Sequence, residues 1–397
     1  MVELIPDKAS LERAAIREAS LGDYQLIAAL ERKHGHQTRD RDAWLSRWLD
    51  NPLYRTMPRH WPAGWVLEDG GRLVGWCGNV PVEYTFRGRP VIAAKACGWC
   101  LEPGYRRFAG ALVQPFFEQG ADLMIGPDDT TAALAAGKSG AGRPPAGSWD
   151  TAPFFVADYA GFAGVALRAK GLPAPGPVRA LAGAGLWAKD RLGAEAVPAG
   201  APGLSMVEAS RFGPGFDQFW DRWTRRYTGK LAAVRTGAML EWRFQCLTGG
   251  TAPRRLAALR GGAIAAYAIL HRHDDPASGL TRYRIADYRS LDPDPAVLAA
   301  VLREAIGLCG QEGVHVLESP AARLPGMEAL DRWAPYRRRL AAWNFLYKCG
   351  DPRLAEALRD PAAWSPTAYD GPLGPGRVSP CGPARSSTRR EFSGAAA

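Results

Sequence analysis

The sequence predicts an α+β (α/β) fold of two similar halves, each a mixed, mainly antiparallel sheet flanked by helices. Three observations carry this expectation. A unit of three strands, one helix and a further strand occurs twice at nearly equal spacing. The first two strands of each unit meet at a Gly-Gly pair, Gly70-Gly71 and Gly261-Gly262, the signal for a tight hairpin turn. A single helix follows each set of strands, which argues against a run of βαβ units.

In the first unit an amphipathic helix over 21–34 precedes strand WVLED (65–69). Strand LVGWCGNVPVEYTF (73–86) follows, turns at Arg87-Gly88-Arg89, and returns as VIAAKACGWCL (91–101). A Pro-Gly loop, a helix over 108–120 and strand ADLMIG (121–126) complete it, with a last helix and loop over 128–142. In the second unit a helix over 215–227 precedes LAALR (256–260), AIAAYAILH (263–271) and TRYRIADY (281–288). A helix over 297–309 and strand VHVLES (314–319) follow. These runs place the halves at 10–170 and 204–360. Between them, 171–203 reads as a Gly/Pro/Ala-rich linker around a short helix, and 371–397 reads as a disordered tail.

Composition narrows the function classes. Apolar residues at 47% and charged residues at 23% describe a globular chain. No run approaches the roughly 20 apolar residues of a membrane span, and the N-terminus lacks a signal-peptide core, so a cytoplasmic protein is expected. The seven cysteines are odd in number and scattered, which suits free thiols. Residues 1–170 hold 20 Lys/Arg against 19 Asp/Glu, while 171–370 hold 26 against 20. The basic surplus in the second half suits an anionic substrate or carrier, or simply a solvated surface.

The loop reading PGYRRFAGAL (103–112) opens directly into a helix. Free backbone N–H groups at a helix start, with Arg106 and Arg107 beside them, form a ready pyrophosphate pocket; an ordinary helix start with solvated arginines is the other reading. Here the sequence resembles the GNAT acyltransferase superfamily, over about 12–160. Those proteins hold coenzyme A on an Arg/Gln-x-x-Gly-x-Gly/Ala loop, with Arg106 at the first position and Ala111 at the last. Ala109 stands where the usual first glycine would be, adding a methyl group beside the phosphates. The resemblance implies acetyl-CoA or another acyl-CoA as donor, held by Trp99, Cys100, Leu101, Arg106, Arg107, Phe108, Ala109, Gly110 and Ala111. Its thioester would lie along residues 96–101.

The second half resembles tandem GNAT proteins with a Trp-Arg-aromatic signature, here Trp242-Arg243-Phe244. Its own loop at 289–295 has two aspartates and no glycine, a poor phosphate cradle. The resemblance therefore implies one donor half and one acceptor-binding or structural half, with Trp242, Arg243 and Tyr267 facing the acceptor. Glu83 and Asp287 are the candidate catalytic carboxylates. The implied activity is N-acyl transfer to an amino group of a small molecule or cell-surface precursor. A non-catalytic GNAT-like binding protein and an aminoacyl-tRNA-dependent transferase remain alternatives.

Other motifs are set aside. Cys97 and Cys100 match CxxC by spacing but lie in a strand, not at a helix start. Gly137-Lys138-Ser139 lacks the rest of a P-loop, and Gly183-Ala184-Gly185 has no strand before it. His271 and His273 read as a polar strand end, so no metal is expected. Arg337 to Arg339 form too isolated a patch for DNA.

Overall fold

The computed structural model describes residues 14–57, 60–126, 140–144, 151–193, 195–248, 252–319, 327–339 and 346–371. Most of the expected helix over 128–142 and all of the expected tail except Gly371 lie outside these residues.

Strand β1 (Ala15–Glu18) leads to helices α1 (Tyr24–Lys33), α2 (Arg41–Leu49) and α3 (Pro52–Thr56). Asp40 caps α2 by accepting from the Ala43 N–H, and Asn51 caps α3 with Pro52 at its first position. Strands β2 (Gly64–Asp69), β3 (Arg72–Phe86) and β4 (Arg89–Leu101) follow as antiparallel neighbours. Gly70 and Gly71 turn β2 into β3 with φ of 57° and 80°, a conformation open to glycine at little cost. Helix α4 (Ala109–Glu118) returns the chain to β5 (Leu123–Ile125), which pairs parallel to β4.

The chain then crosses over. Strand β6 (Thr151–Val156) leaves the first sheet and is followed by helices α5 (Tyr159–Ala169) and α6 (Gly176–Gly193). The second half runs β7 (Ser205–Glu208), α7 (Pro214–Arg226), β8 (Ala232–Ala233), α8 (Gly237–Thr248), β9 (Arg254–Arg260), β10 (Ala263–Asp275), β11 (Leu280–Ser290), α9 (Pro295–Gln311) and β12 (Val316–Glu318). It ends with α10 (Leu330–Trp333), β13 (Tyr336–Arg339), β14 (Tyr347–Cys349) and α11 (Pro352–Ala357).

The first sheet has the order β1-β2-β3-β4-β5-β14, with β8 against β3; the second has β13-β6-β12-β11-β10-β9-β7. Strands β9, β10 and β11 are antiparallel and β12 is parallel to β11, as β5 is to β4. The halves therefore repeat one topology, α+β with mixed, mainly antiparallel sheets, but exchange a strand. Residues 151–156, read with the first half, pair with β12 in the second sheet, and 347–349 pair with β5 in the first. The helix expected to be short between the halves, α6, is eighteen residues long.

One aromatic core joins the halves. The Trp44 ring lies 4.6 Å from Trp48 and 6.1 Å from Trp76, both tilted against it, and the same cluster takes in Trp220 and Trp223 of α7 and Leu240, Trp242 and Phe244 of α8. The Trp48 indole donates to the Asn79 carbonyl at 2.8 Å, so its polar edge is satisfied inside that core. Loss of such a ring costs about 3–5 kcal/mol.

Candidate functional site

Strand β5 is only three residues long, and it pairs with β4 only at Ala93, Ala94 and Lys95. Beyond Lys95, β4 runs on through residues 96–101. Among the described residues no strand covers the edge of this stretch that faces away from β3. Within it Cys97 and Gly98 together oppose the single residue Gly78, a β-bulge that re-aims the strand.

Three glycines on adjacent strands make room for Trp76 there. A Cβ on Gly64, Gly78 or Gly98 would stand 2.8, 2.6 and 2.7 Å from the Trp76 ring system. The ring thus lies flat across the bulge, with its Nε1 nearest Gly98. The indole N–H is buried and makes no well-formed hydrogen bond among the described residues. Glu31 of α1 reaches the same point, with Oε1 3.6 Å from where a Gly98 Cβ would be. Burial pushes the Glu31 carboxyl up, and the opposing influence of Arg47 and Trp76 does not cancel it.

Cations line the same side. Arg47 is buried and donates to the Cys97 carbonyl at 3.0 Å, so α2 grips β4 at its bulge. Burial, together with Arg47 and Arg243, pushes the Arg39 guanidinium down to about 10. The Nε atoms of Arg39 and Arg47 are buried without a partner among the described residues. Cys97 and Cys100 form no disulfide among the described residues, and burial pushes the Cys97 thiol up to about 12, the opposite of a reactive thiol.

The loop after β4 departs from the expectation of open N–H groups. Residues Pro103–Phe108 wind into a 3₁₀ turn continuous with α4, and the Ala109 N–H donates to the Arg106 carbonyl. The helical segment therefore starts at Glu102, whose carboxylate takes Lys33 at 2.7 Å and Arg72 at 2.6 Å. Burial opposes the Glu102 charge, but Arg72 and Lys33 prevail and hold its carboxyl below the ordinary range. Arg106 and Arg107 are exposed, with Arg107 over the Phe108 ring at 4.9 Å. Gly110 has open space where a side chain would be, Ala111 is exposed, and Ala109 is buried. Trp99 and Leu101 are half-buried, and Cys100 is buried.

In the second sheet the corresponding stretch of β11 is closed. Strand β12 stops pairing at Arg284, and the segment 365–371 lies against the rest of β11. Asp287 is fully buried and accepts from Arg235 at 2.9 Å, Tyr267 at 2.7 Å and Thr367 at 2.6 Å. Burial works against its charge, yet Arg235 and Arg289 hold the carboxyl below its ordinary range. Arg235 also binds Asp370 at 2.8 Å, and Arg289 donates to the Ser365 carbonyl at 2.7 Å. Arg243 donates to the carbonyls of Tyr369 and Gly371 at 2.9 and 2.7 Å. Lys95, on β4, donates to the Asp370 carbonyl, so the segment touches both sheets.

Apart from those at the end of β4 and its loop, the residues expected at a site fall into three places. Asp287, Tyr267 and Arg243 come together, but around the chain's own residues 367–371. Trp242 points elsewhere, its indole donating to the Ser46 carbonyl at 3.1 Å and tying α8 to α2. Glu83 lies on β3, half-buried, with its carboxyl pushed up by burial and no side-chain partner among the described residues. Sequence reasoning missed Glu31, Arg47 and Trp76. The available signal was Gly98, a glycine inside a strand, which marks a bulge or a close approach.

No family model and no curated protein matches the sequence. Solved structures do match over most of its length. A GCN5-related N-acetyltransferase from Anabaena variabilis ATCC 29413 is 12% identical with a TM-score of 0.53, over 85% of this chain and 73% of that one. A conserved protein from Enterococcus faecalis V583, described as a probable N-acyltransferase, is 11% identical with a TM-score of 0.52, over 85% and 72%. A GCN5-related N-acetyltransferase from Kribbella flavida is 11% identical with a TM-score of 0.50, over 85% and 71%. The mixed sheets, the repeated strand order and these likenesses agree: the chain has the fold of the GCN5-related N-acetyltransferases.

Proposed function

We propose that the protein is an N-acyltransferase that takes an acyl group from acyl-CoA, with its chemistry at the uncovered edge of β4. The observation that carries this reading is the bulge at Gly98, where the raised carboxyl of Glu31 meets the buried Trp76 indole. A thioester along residues 96–101 would find backbone N–H groups on the outer edge of the strand to polarise its carbonyl. An attacking amine adds to that carbonyl, the C–S bond breaks, and coenzyme A leaves as its thiol while an amide forms. The amine must lose a proton, and Glu31 is the carboxylate positioned to take it. A carboxyl raised by burial is a better base near neutral pH than an exposed one.

Arg106 and Arg107 are the donor-phosphate contacts in this reading, acting from the side chains because the Ala109 N–H is already engaged. Arg39 and Arg47 favour an acceptor with an anionic group near its amine. Residues 10–170 supply the donor site, and 204–360 supply core and, with 365–371, closure. Asp287 and Arg243 act as anchors for residues 365–371. One observation favours a second reading, binding without transfer: the 3₁₀ winding takes the Ala109 N–H away from a phosphate.

Release of free coenzyme A thiol from acetyl-CoA, assayed against a panel of anionic amines, separates the two. Turnover that falls in Glu31→Gln while donor binding persists supports transfer. Donor binding with no turnover for any amine supports the second reading.

A further inference from the structure

The helix between the halves carries an exposed apolar face. Helix α6 lies on α5 through Gly183, where a Cβ would stand 2.8 Å from the Ala160 nitrogen. Asp190 fixes the same side, accepting from Tyr159 at 3.0 Å and Tyr336 at 2.7 Å. On the opposite side Val178, Leu181, Gly185, Ala188 and Leu192 recur at helical spacing. Val178 is 43% exposed, Leu181 78% and Leu192 91%. Leu172, just before the helix, is 49% exposed.

Charge says what this face suits. Arg168, Lys170, Arg179, Lys189 and Arg191 are all exposed, and none has a carboxylate partner among the described residues. On the helical wheel Lys189 and Arg191 flank the apolar stripe on its two sides. Within α5, α6 and their connection, Asp190 is the acidic residue, and it is turned inward onto two tyrosines. An isolated apolar ridge with cationic margins fits the headgroup boundary of an anionic bilayer. A second copy fits it poorly, because self-pairing would oppose Lys189 and Arg191 on both chains, each of formal charge +10.

We propose that α6 is a peripheral membrane contact that lays Val178, Leu181 and Leu192 into an anionic lipid surface. No helix among the described residues is long and apolar enough to cross a membrane, so the contact is one of lying on the surface. It is independent of the acyl-transfer reading.

Co-sedimentation of the full chain with phosphatidylcholine vesicles, with and without phosphatidylglycerol, tests it. The expected result is binding to the anionic vesicles only, weakened by salt. Lys189→Glu/Arg191→Glu should weaken it by about tenfold or more. Leu181→Asp/Leu192→Asp should abolish it with the melting temperature unchanged, since both side chains are exposed. Absence of vesicle binding, or equal binding to neutral vesicles, overturns the proposal. So does a concentration-dependent dimer that the leucine variant dissolves, which would assign the face to a second copy.

Discussion

Thr367 donates a 2.6 Å hydrogen bond to Asp287 across a separation of 80 residues, and that contact closes the second sheet. The two sheets splay at the same point in their strand order, but their fates differ. In the first the edge of β4 stays uncovered by any described strand, while in the second Asp287 and Arg235 are sealed beneath residues 365–371. A buried ion pair is poor evidence of net stability, but removing one partner strands the other.

Asp287→Ala should therefore destabilise the fold by about 3–5 kcal/mol, because Arg235 and Arg289 lose a buried counter-charge. Urea denaturation monitored by circular dichroism measures it. An exposed carboxylate such as Asp331, changed in the same way, should stay within about 0.5 kcal/mol.

Glu31 sets the acid side of activity in this account. Its carboxyl is raised by burial, and a base works only when deprotonated. Turnover should therefore fall as the pH drops through a value above the ordinary 4.5 of glutamate. In Glu31→Gln the residual rate should lose that limb. A pH–rate profile that keeps its limb in the variant would assign the base elsewhere.

The His271 and His273 pair makes a separate prediction about stability. Their rings lie 4.4 Å apart near the end of β10, and burial lowers them to about 4 and about 3. Both are neutral when folded at neutral pH, and the unfolded chain binds more protons below 6.5. Stability should thus be unaffected above pH 6.5 and decline as pH falls from there toward 4. Melting temperatures across that window test it, and His271→Phe/His273→Phe should flatten the decline.

Gly98 should tolerate no side chain. Its φ is 158°, and an added Cβ would stand 2.7 Å from Trp76 Nε1. Gly98→Ala should cost about 1–3 kcal/mol by overpacking and displace Glu31 from the bulge. Turnover should drop more than the stability loss alone explains, as kcat measured well below the melting temperature would show.

Much of the architecture was legible in the sequence. The paired glycines at 70–71 and 261–262, with φ between 57° and 80°, fixed both hairpins, and the apolar runs between turns gave β2 to β5 and β9 to β12. The exchange of β6 and β14 was not legible. Strands of six and three residues carry no local mark of which sheet edge accepts them. Residues 361–370 fell between the expected second half and the expected tail, because their partners, Arg235 and Asp287, lie far away in sequence. Within the candidate site the arginines of the loop were visible, but its 3₁₀ winding was not. Glu31 reads as one more charge on an amphipathic helix until the fold places Gly98 beside it.

The central claim, that the donor binds beside the uncovered edge of β4 and the loop that follows, has a direct test. Acetyl-CoA is titrated calorimetrically into the full chain and into Arg106→Glu/Arg107→Glu. The account predicts one donor per chain, and binding weakened by about tenfold or more in the variant, with an unchanged melting temperature because both arginines are exposed. No binding to the unaltered chain, or equal binding to both, would contradict it.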